Sequence, residues 1–110
     1  MIELSATEYH QIQTILATHV SGHEVRAIGS RAHGTSKPWS DLDLVIMSTP
    51  IGKHWLNALK EAFEESDLPF MVDILLWDQL STVFQAVVED HYVVVQAVGI
   101  NNNLTPRDMD

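Results

Sequence analysis

Between Ser5 and Gly22 the apolar residues Ile12, Ile15, Leu16 and Val20 recur at three- and four-residue spacing, which puts them on one face of a helix. Ser5 and Glu8 stand three apart at its start, the spacing of a capping box in which each side chain satisfies an orphan N–H. Gly22 suits its close. The period then shortens. Glu24 to Ile28 reads as a short strand carrying Val25 and Ile28, and Leu42 to Met47 is an apolar run broken only by Asp43, the pattern of a buried strand. Helical spacing returns over Gly52 to Ser66, where Trp55, Leu56, Leu59 and Phe63 share a face and Lys60 and Glu64 sit four apart on the other. After Pro69, Phe70 to Trp77 is a third strand, apolar apart from Asp73. Asp78 or Ser81 caps a third helix running to about Glu89, with Val83, Phe84, Val87 and Val88 expected inward. Tyr92 to Ala97, rich in β-branched residues, gives a fourth strand. The order α-β-β-α-β-α-β predicts an α/β (α+β) fold, a small mixed sheet of about four strands with helices packed on it.

The chemistry concentrates between the first two strands, in Gly29-Ser30-Arg31-Ala32-His33-Gly34-Thr35-Ser36-Lys37-Pro38-Trp39-Ser40-Asp41-Leu42-Asp43-Leu44. Its first part, Gly29 to Ser40, reads mainly as loop. Asp41 and Asp43 are two apart, so in a strand they share a face, about 6–7 Å apart along the chain. Leu42, Leu44 and Ile46 then face the core and anchor them. Carboxylates held together in an apolar strand repel and lose hydration, a cost that divalent cations commonly offset. Gly29 lets the backbone approach a ligand without a Cβ in the way, and the Ser30 hydroxyl and nearby N–H groups can donate to phosphate oxygens. Arg31 adds a fixed positive charge there, or pairs structurally with one of the acids. Ser40 can join the nucleotide contacts or serve as a local cap orienting Asp41. His33 and Trp39 could stack on a nucleotide base or pack within the loop. Asp73, the one charge in the third strand, reaches the same cleft if that strand lies beside Leu42–Met47. Three carboxylates can hold two Mg²⁺ ions about 3.5–4 Å apart.

Gly29-Ser30, ten residues, then Asp41-Leu42-Asp43 resembles the signature of the polymerase-β-type nucleotidyltransferase superfamily. The longer string Gly-Ser-Arg-Ala-x-Gly-x₅-Ser-Asp-x-Asp-Leu, with Val72-Asp73-Ile74 behind it, is similar to the minimal nucleotidyltransferase (MNT) branch, and the likeness spans roughly residues 24–97. The resemblance implies the polymerase-β-like fold. It implies transfer of AMP from ATP, with release of pyrophosphate, to a hydroxyl of a partner, commonly a tyrosine of a HEPN-domain ribonuclease toxin that the MntA-like antitoxin thereby silences. By the same analogy Gly29, Ser30, Arg31 and Ser40 contact the nucleotide. Asp41 and Asp43 bind both Mg²⁺ ions, and Asp73 binds the catalytic one and helps deprotonate the acceptor. Two other readings stay open: an antitoxin that blocks its toxin by contact alone, and a nucleotidyltransferase with a small-molecule acceptor.

Composition narrows the partners. The chain has 110 residues, six Lys+Arg and fifteen Asp+Glu, a net charge of −9. Such a surface repels phosphate backbones and anionic membranes, so neither a nucleic acid nor a membrane is an expected partner. With no cysteine there is no disulfide framework and no thiolate metal site. The length suits one domain over 1–110, with residues 99–110 as an Asn-rich tail, and leaves little room for an acceptor-binding domain. No basic leader or membrane-length apolar run is visible, so the cytoplasm is the expected compartment.

Overall fold

A computed structural model describes residues 2–47 and 53–99 of the chain. Helix α1 (Ala6–His19) is followed by strand β1 (Val25–Ile28), a single-turn helix α2 (Ser30–His33), strand β2 (Leu42–Ile46), helix α3 (Lys53–Glu64), strand β3 (Val72–Leu76), a short 3₁₀ turn (Trp77–Gln79), helix α4 (Thr82–Asp90) and strand β4 (Val93–Gln96). The mixed sheet expected from the pattern is present, in the order β3-β2-β1-β4. β1 runs antiparallel to both β2 and β4, whereas β2 and β3 are parallel. Parallel neighbours need a crossover, and α3 supplies it. The expected helix start at Gly52 and the tail beyond Gly99 lie outside the described residues. Gly99 itself is docked: its N–H donates to the Gly22 carbonyl at 3.0 Å.

Local chemistry explains the helix starts. Ser5 and Glu8 form the expected capping box, with the Glu8 N–H donating to Ser5 Oγ (3.1 Å) and the Ser5 N–H to Glu8 Oε1 (2.9 Å). Ser81, rather than Asp78, caps α4 by accepting from the Phe84 N–H at 3.1 Å. Asp78 sits in the 3₁₀ turn before it.

The sheet is covered on both faces. On one, Ile12, Leu16 and Val20 of α1 and Leu59 and Phe63 of α3 pack on Leu42, Leu44, Ile46, Val25 and Ala27. On the other, α4 inserts Val88 against Ile28 and Val45. Arg26 pins α4 there: its guanidinium pairs with Glu24 (2.7 Å) and with Glu89 of α4 (2.8 Å), and lies over the Tyr92 ring.

One expectation fails. The helical pattern puts Val83, Phe84 and Val87 inward with Val88, but Val83 is 77% and Val87 54% exposed, and Phe84 is exposed too. The sheet face beneath α4 offers a small apolar patch, which Val88 largely fills. On the other side of the sheet, Trp55 of α3 is half exposed, while Leu59 and Phe63 carry the contact. Val88→Ala should therefore cost about 2 kcal/mol, from two buried carbons and the cavity left behind. The double change Val83→Ser, Val87→Ser should stay within about 0.5 kcal/mol, as surface substitutions do. Urea unfolding of the two variants distinguishes them, and equal losses would place the inward face of α4 wrongly.

Candidate active site

The register of β2 and β3 builds the site. Asp43 is paired directly with Asp73 across the parallel strands, and with Ile28 on the other side. The end of β1 and the starts of β2 and β3 therefore meet at one place, with Gly29 immediately after Ile28. Asp43 is half-buried, and burial pushes its carboxyl above the usual carboxylate range. The charges of Asp73 and then Asp41 push the same way, as does a hydrogen bond with Asp73. So the structure brings Asp73 and Asp41 each within electrostatic reach of Asp43, with Asp41 exposed just ahead of β2.

Gly29 is required twice over. Its backbone has φ 82° and ψ −161°, a region essentially closed to residues with a side chain. A Cβ built on it would lie 2.7 Å from Asp43 Oδ2. The turn it makes leads straight into α2, whose first N–H groups have no acceptor within the helix. Ser30 opens that helix, half-buried. The segment expected as loop thus contains one ordered helical turn, too short to show a period in sequence. It closes at Gly34, which is left-handed.

Arg31 stands elsewhere than expected. The residue is 5% exposed, and its guanidinium donates to backbone carbonyls. Nε donates to Ser40 O (2.9 Å), Nη1 to Glu3 O (2.8 Å) and Nη2 to Pro38 O (3.1 Å). The group also lies over the Phe70 ring, 4.0 Å from its centroid. Among the described residues it pairs with none of the three acids, and its hydrogen bonds go to main-chain carbonyls. It ties the loop leading to Asp41 onto the N-terminal segment. Ser40 takes the second of its two expected parts, the local cap: its hydroxyl accepts from the Lys37 N–H at 2.8 Å and its N–H donates to Lys37 O, so it shapes the turn before Asp41. His33 stacks on His91 with ring centroids 4.1 Å apart, and Trp39 is largely exposed.

Glu3 was not visible as a site residue. Its N–H donates to Arg31 O, its carbonyl accepts from Arg31, and its carboxylate accepts from the N–H and hydroxyl of Ser36. The Ser36 hydrogen bonds hold that carboxyl below its ordinary range. No short-range pattern announces a partner about thirty positions away.

The acids can be tested as a cation site. Among the described residues none of the three forms an ion pair with Lys, Arg or His; the ion pairs found there are those of Arg26. Nor do three carboxylates or imidazoles close into a metal cage among those residues. A half-buried carboxylate, Asp43, paired in register with an exposed one, Asp73, suits Mg²⁺, which is bound through one or two carboxylates and completes its shell with water and substrate phosphates.

The comparisons with known proteins bear on this geometry. Residues 10–95 match the nucleotidyltransferase domain family. The probable protein adenylyltransferase MntA of Haemophilus influenzae is 42% identical over 96 residues, which is 86% of this chain and 84% of that one. The chain belongs to the nucleotidyltransferase family. The resemblance carried by Gly29 to Leu44 therefore holds, and the domain is an enzyme of nucleotidyl transfer. Its fold is shared with a chain of a crystal structure of a toxin–antitoxin with AMP-PNP, at a TM-score of 0.65 and 20% identity, over 79% of this chain and 71% of that one.

Two outcomes test the site of this nucleotidyltransferase. Gly29→Ala should lower stability by about 1–3 kcal/mol through backbone strain, and lower transfer by about 100-fold or more through displacement of Asp43; unchanged turnover would contradict the close approach. Asp43→Asn should raise the melting temperature without divalent cations by a few degrees, at roughly 4–8 °C per kcal/mol for a domain of this size. A carboxyl whose pKa is raised by folding destabilises the fold above that pKa and ceases to do so once protonated. The advantage of the Asn variant should therefore shrink as pH falls through that range. Thermal scans at several pH values check both the sign and the trend.

Proposed function

We propose that this chain transfers AMP from ATP to a hydroxyl of a partner protein, a tyrosine of a HEPN-domain toxin, and so acts as an antitoxin. The observation that carries the reading is the in-register pair Asp43–Asp73 beside the side-chain-free approach at Gly29. The Haemophilus relative, a probable protein adenylyltransferase, supports the acceptor class. The structural neighbour, a toxin–antitoxin with AMP-PNP, supports both a toxin partner and an ATP-like ligand. The exposed apolar face of α4 also favours a macromolecular acceptor over a small one. A net charge of −9 disfavours a nucleic-acid acceptor. No helix among the described residues is long and apolar enough to cross a membrane; we place the reaction in the cytoplasm, where ATP is supplied.

Roles follow from position. Gly29 and the first N–H groups of α2, with the Ser30 hydroxyl, receive triphosphate oxygens at close range. Asp41, Asp43 and Asp73 would hold two Mg²⁺ ions, which supply charge neutralisation on the attacking and leaving oxygens of an in-line displacement at the α-phosphorus. Asp73, on the outer strand, faces the acceptor and takes part in removing its proton. Arg31, Ser40 and Glu3 fix the loop that delivers Asp41.

Mass spectrometry of the neighbouring gene's product, co-expressed and then incubated with this protein, ATP and Mg²⁺, tests the proposal. A gain of one or more AMP units is expected. Asp43→Asn should slow that gain by about 1,000-fold or more, since removing one acid leaves the others unbalanced. A stable complex with no mass gain would favour blocking by contact alone, a reading to which the apolar face of α4 lends itself. Neither gain nor complex would return the question to a small-molecule acceptor.

A further inference from the structure

β3 is an edge strand, paired with β2 and with nothing on its other side among the described residues. The Leu42 N–H donates to the Met71 carbonyl at 2.9 Å, which sets the phase of the ladder. In a parallel pair successive residues turn their peptide groups alternately toward and away from the neighbour. Asp73 and Leu75 therefore bond to β2, and the N–H and C=O groups of Val72 and Ile74 face outward. Exposed edges are commonly blunted by a bulge, a Pro or a Lys within the strand. β3 has none of these: its five-residue register is unbroken, and Pro69 lies ahead of it.

A groove of about 610 Å³ runs along this edge. Its lining includes Lys60, Phe63 and Glu64 of α3, Met71 ahead of β3, and Val72 to Leu75 of β3 itself. Five strand residues at about 3.3 Å each give the edge a length of about 16 Å. Asp73 belongs both to this groove and to the carboxylate pair.

We propose that the acceptor enters as an extended polypeptide segment that adds to the sheet beside β3, bringing its hydroxyl-bearing side chain to Asp73. The inference rests on the transfer reading above and names how its substrate is held. A row of outward N–H and C=O groups is matched by another backbone, not by a folded surface or a nucleic acid. The groove rim carries charges of both signs, Lys60 and Glu64, and so sets no strong electrostatic demand on the segment. Residues paired across strands point to the same face. The residue opposite Asp73 then presents its side chain on the Asp43–Asp73 face, while its immediate neighbours point toward Phe63 on the α3 side. A short hydroxyl directly opposite Asp73 has the reach, and a tyrosine has it from the diagonal position. Specificity would therefore reside in apolar residues flanking the acceptor.

Amide hydrogen exchange resolved to single residues tests this on the full chain, alone and bound to the co-expressed neighbouring gene product with a non-hydrolysable ATP analogue and Mg²⁺. The Val72 and Ile74 amides should slow on the order of 100-fold on binding, whereas those of Asp73 and Leu75, already bonded to β2, should change little. AMP transfer to that partner with unchanged exchange at Val72 and Ile74 would overturn the strand addition alone. Failure of transfer, seen in the mass measurement, would overturn the acceptor assignment and this inference together. Val72→Pro gives an independent reading, since it removes an outward N–H and leaves the ladder to β2 intact. It should raise KM for the partner without changing KM for ATP, and an unchanged KM for the partner or equal effects on both would count against the strand addition.

Discussion

The parallel pairing of β2 with β3, in the register that sets Asp43 opposite Asp73, is the constraint from which the rest of this molecule follows. Two carboxylates at neighbouring positions repel, and one of them is half-buried. The pairing survives because the opposite face of the same strands is apolar without interruption. Leu42, Leu44 and Ile46 are fully buried beneath α1 and α3, and Ile74 and Leu76 join them. A slip of one residue would send those side chains to the thinly covered face and the acids into the core, which the hydrophobic term forbids. Core packing on one side thus holds an unfavourable electrostatic arrangement on the other.

The nucleotide side of the site is fixed by a different device. A loop between β1 and β2 has to present Asp41 and still leave the phosphate approach clear. Arg31 does the first by donating to carbonyls of the loop and of Glu3 while its plane rests on Phe70. A planar guanidinium with several fixed donors can gather carbonyls from separate segments, which a lysine cannot do. Gly29 does the second by lacking a side chain where Asp43 comes close. The two residues are neighbours but one in sequence, and they serve opposite ends, one filling space and one keeping it empty.

What was legible in the sequence was whatever short-range periodicity controls. The strands around Val25, Leu42, Val72 and Val93 and the capped starts of α1 and α4 could all be read, because buried strands and caps carry local signals. The signature from Gly29 to Asp43 gave the family. Register was another matter: that Asp73 would fall opposite Asp43 depends on the length of the crossover through α3, which no local pattern encodes. The role of Arg31 was missed because its acceptors come from Glu3, on the far side of α1 in sequence, and from main-chain atoms that have no residue-type signature. The inward face of α4 was misjudged because apolar composition says which residues could be buried, not how much sheet is available to bury them. Val88 takes that space, and Val83 and Val87 remain outside.

These outcomes have a common physical form. Asp43 and Asp73 stand side by side with no cationic partner among the described residues. β3 offers an incomplete ladder, with the peptide groups of Val72 and Ile74 turned outward beside the same carboxylate. α4 offers an apolar stripe with little of it covered. In a domain this small, completing each of these internally would take further strands and helices to bury the acids and the edge. Leaving them open costs stability in the free chain, a cost that ligands filling them would offset. On the proposed reading the same incompleteness would make binding selective: a ligand without phosphate oxygens, or a partner without an extended segment, would leave a half-buried charge or an unpaired backbone uncompensated.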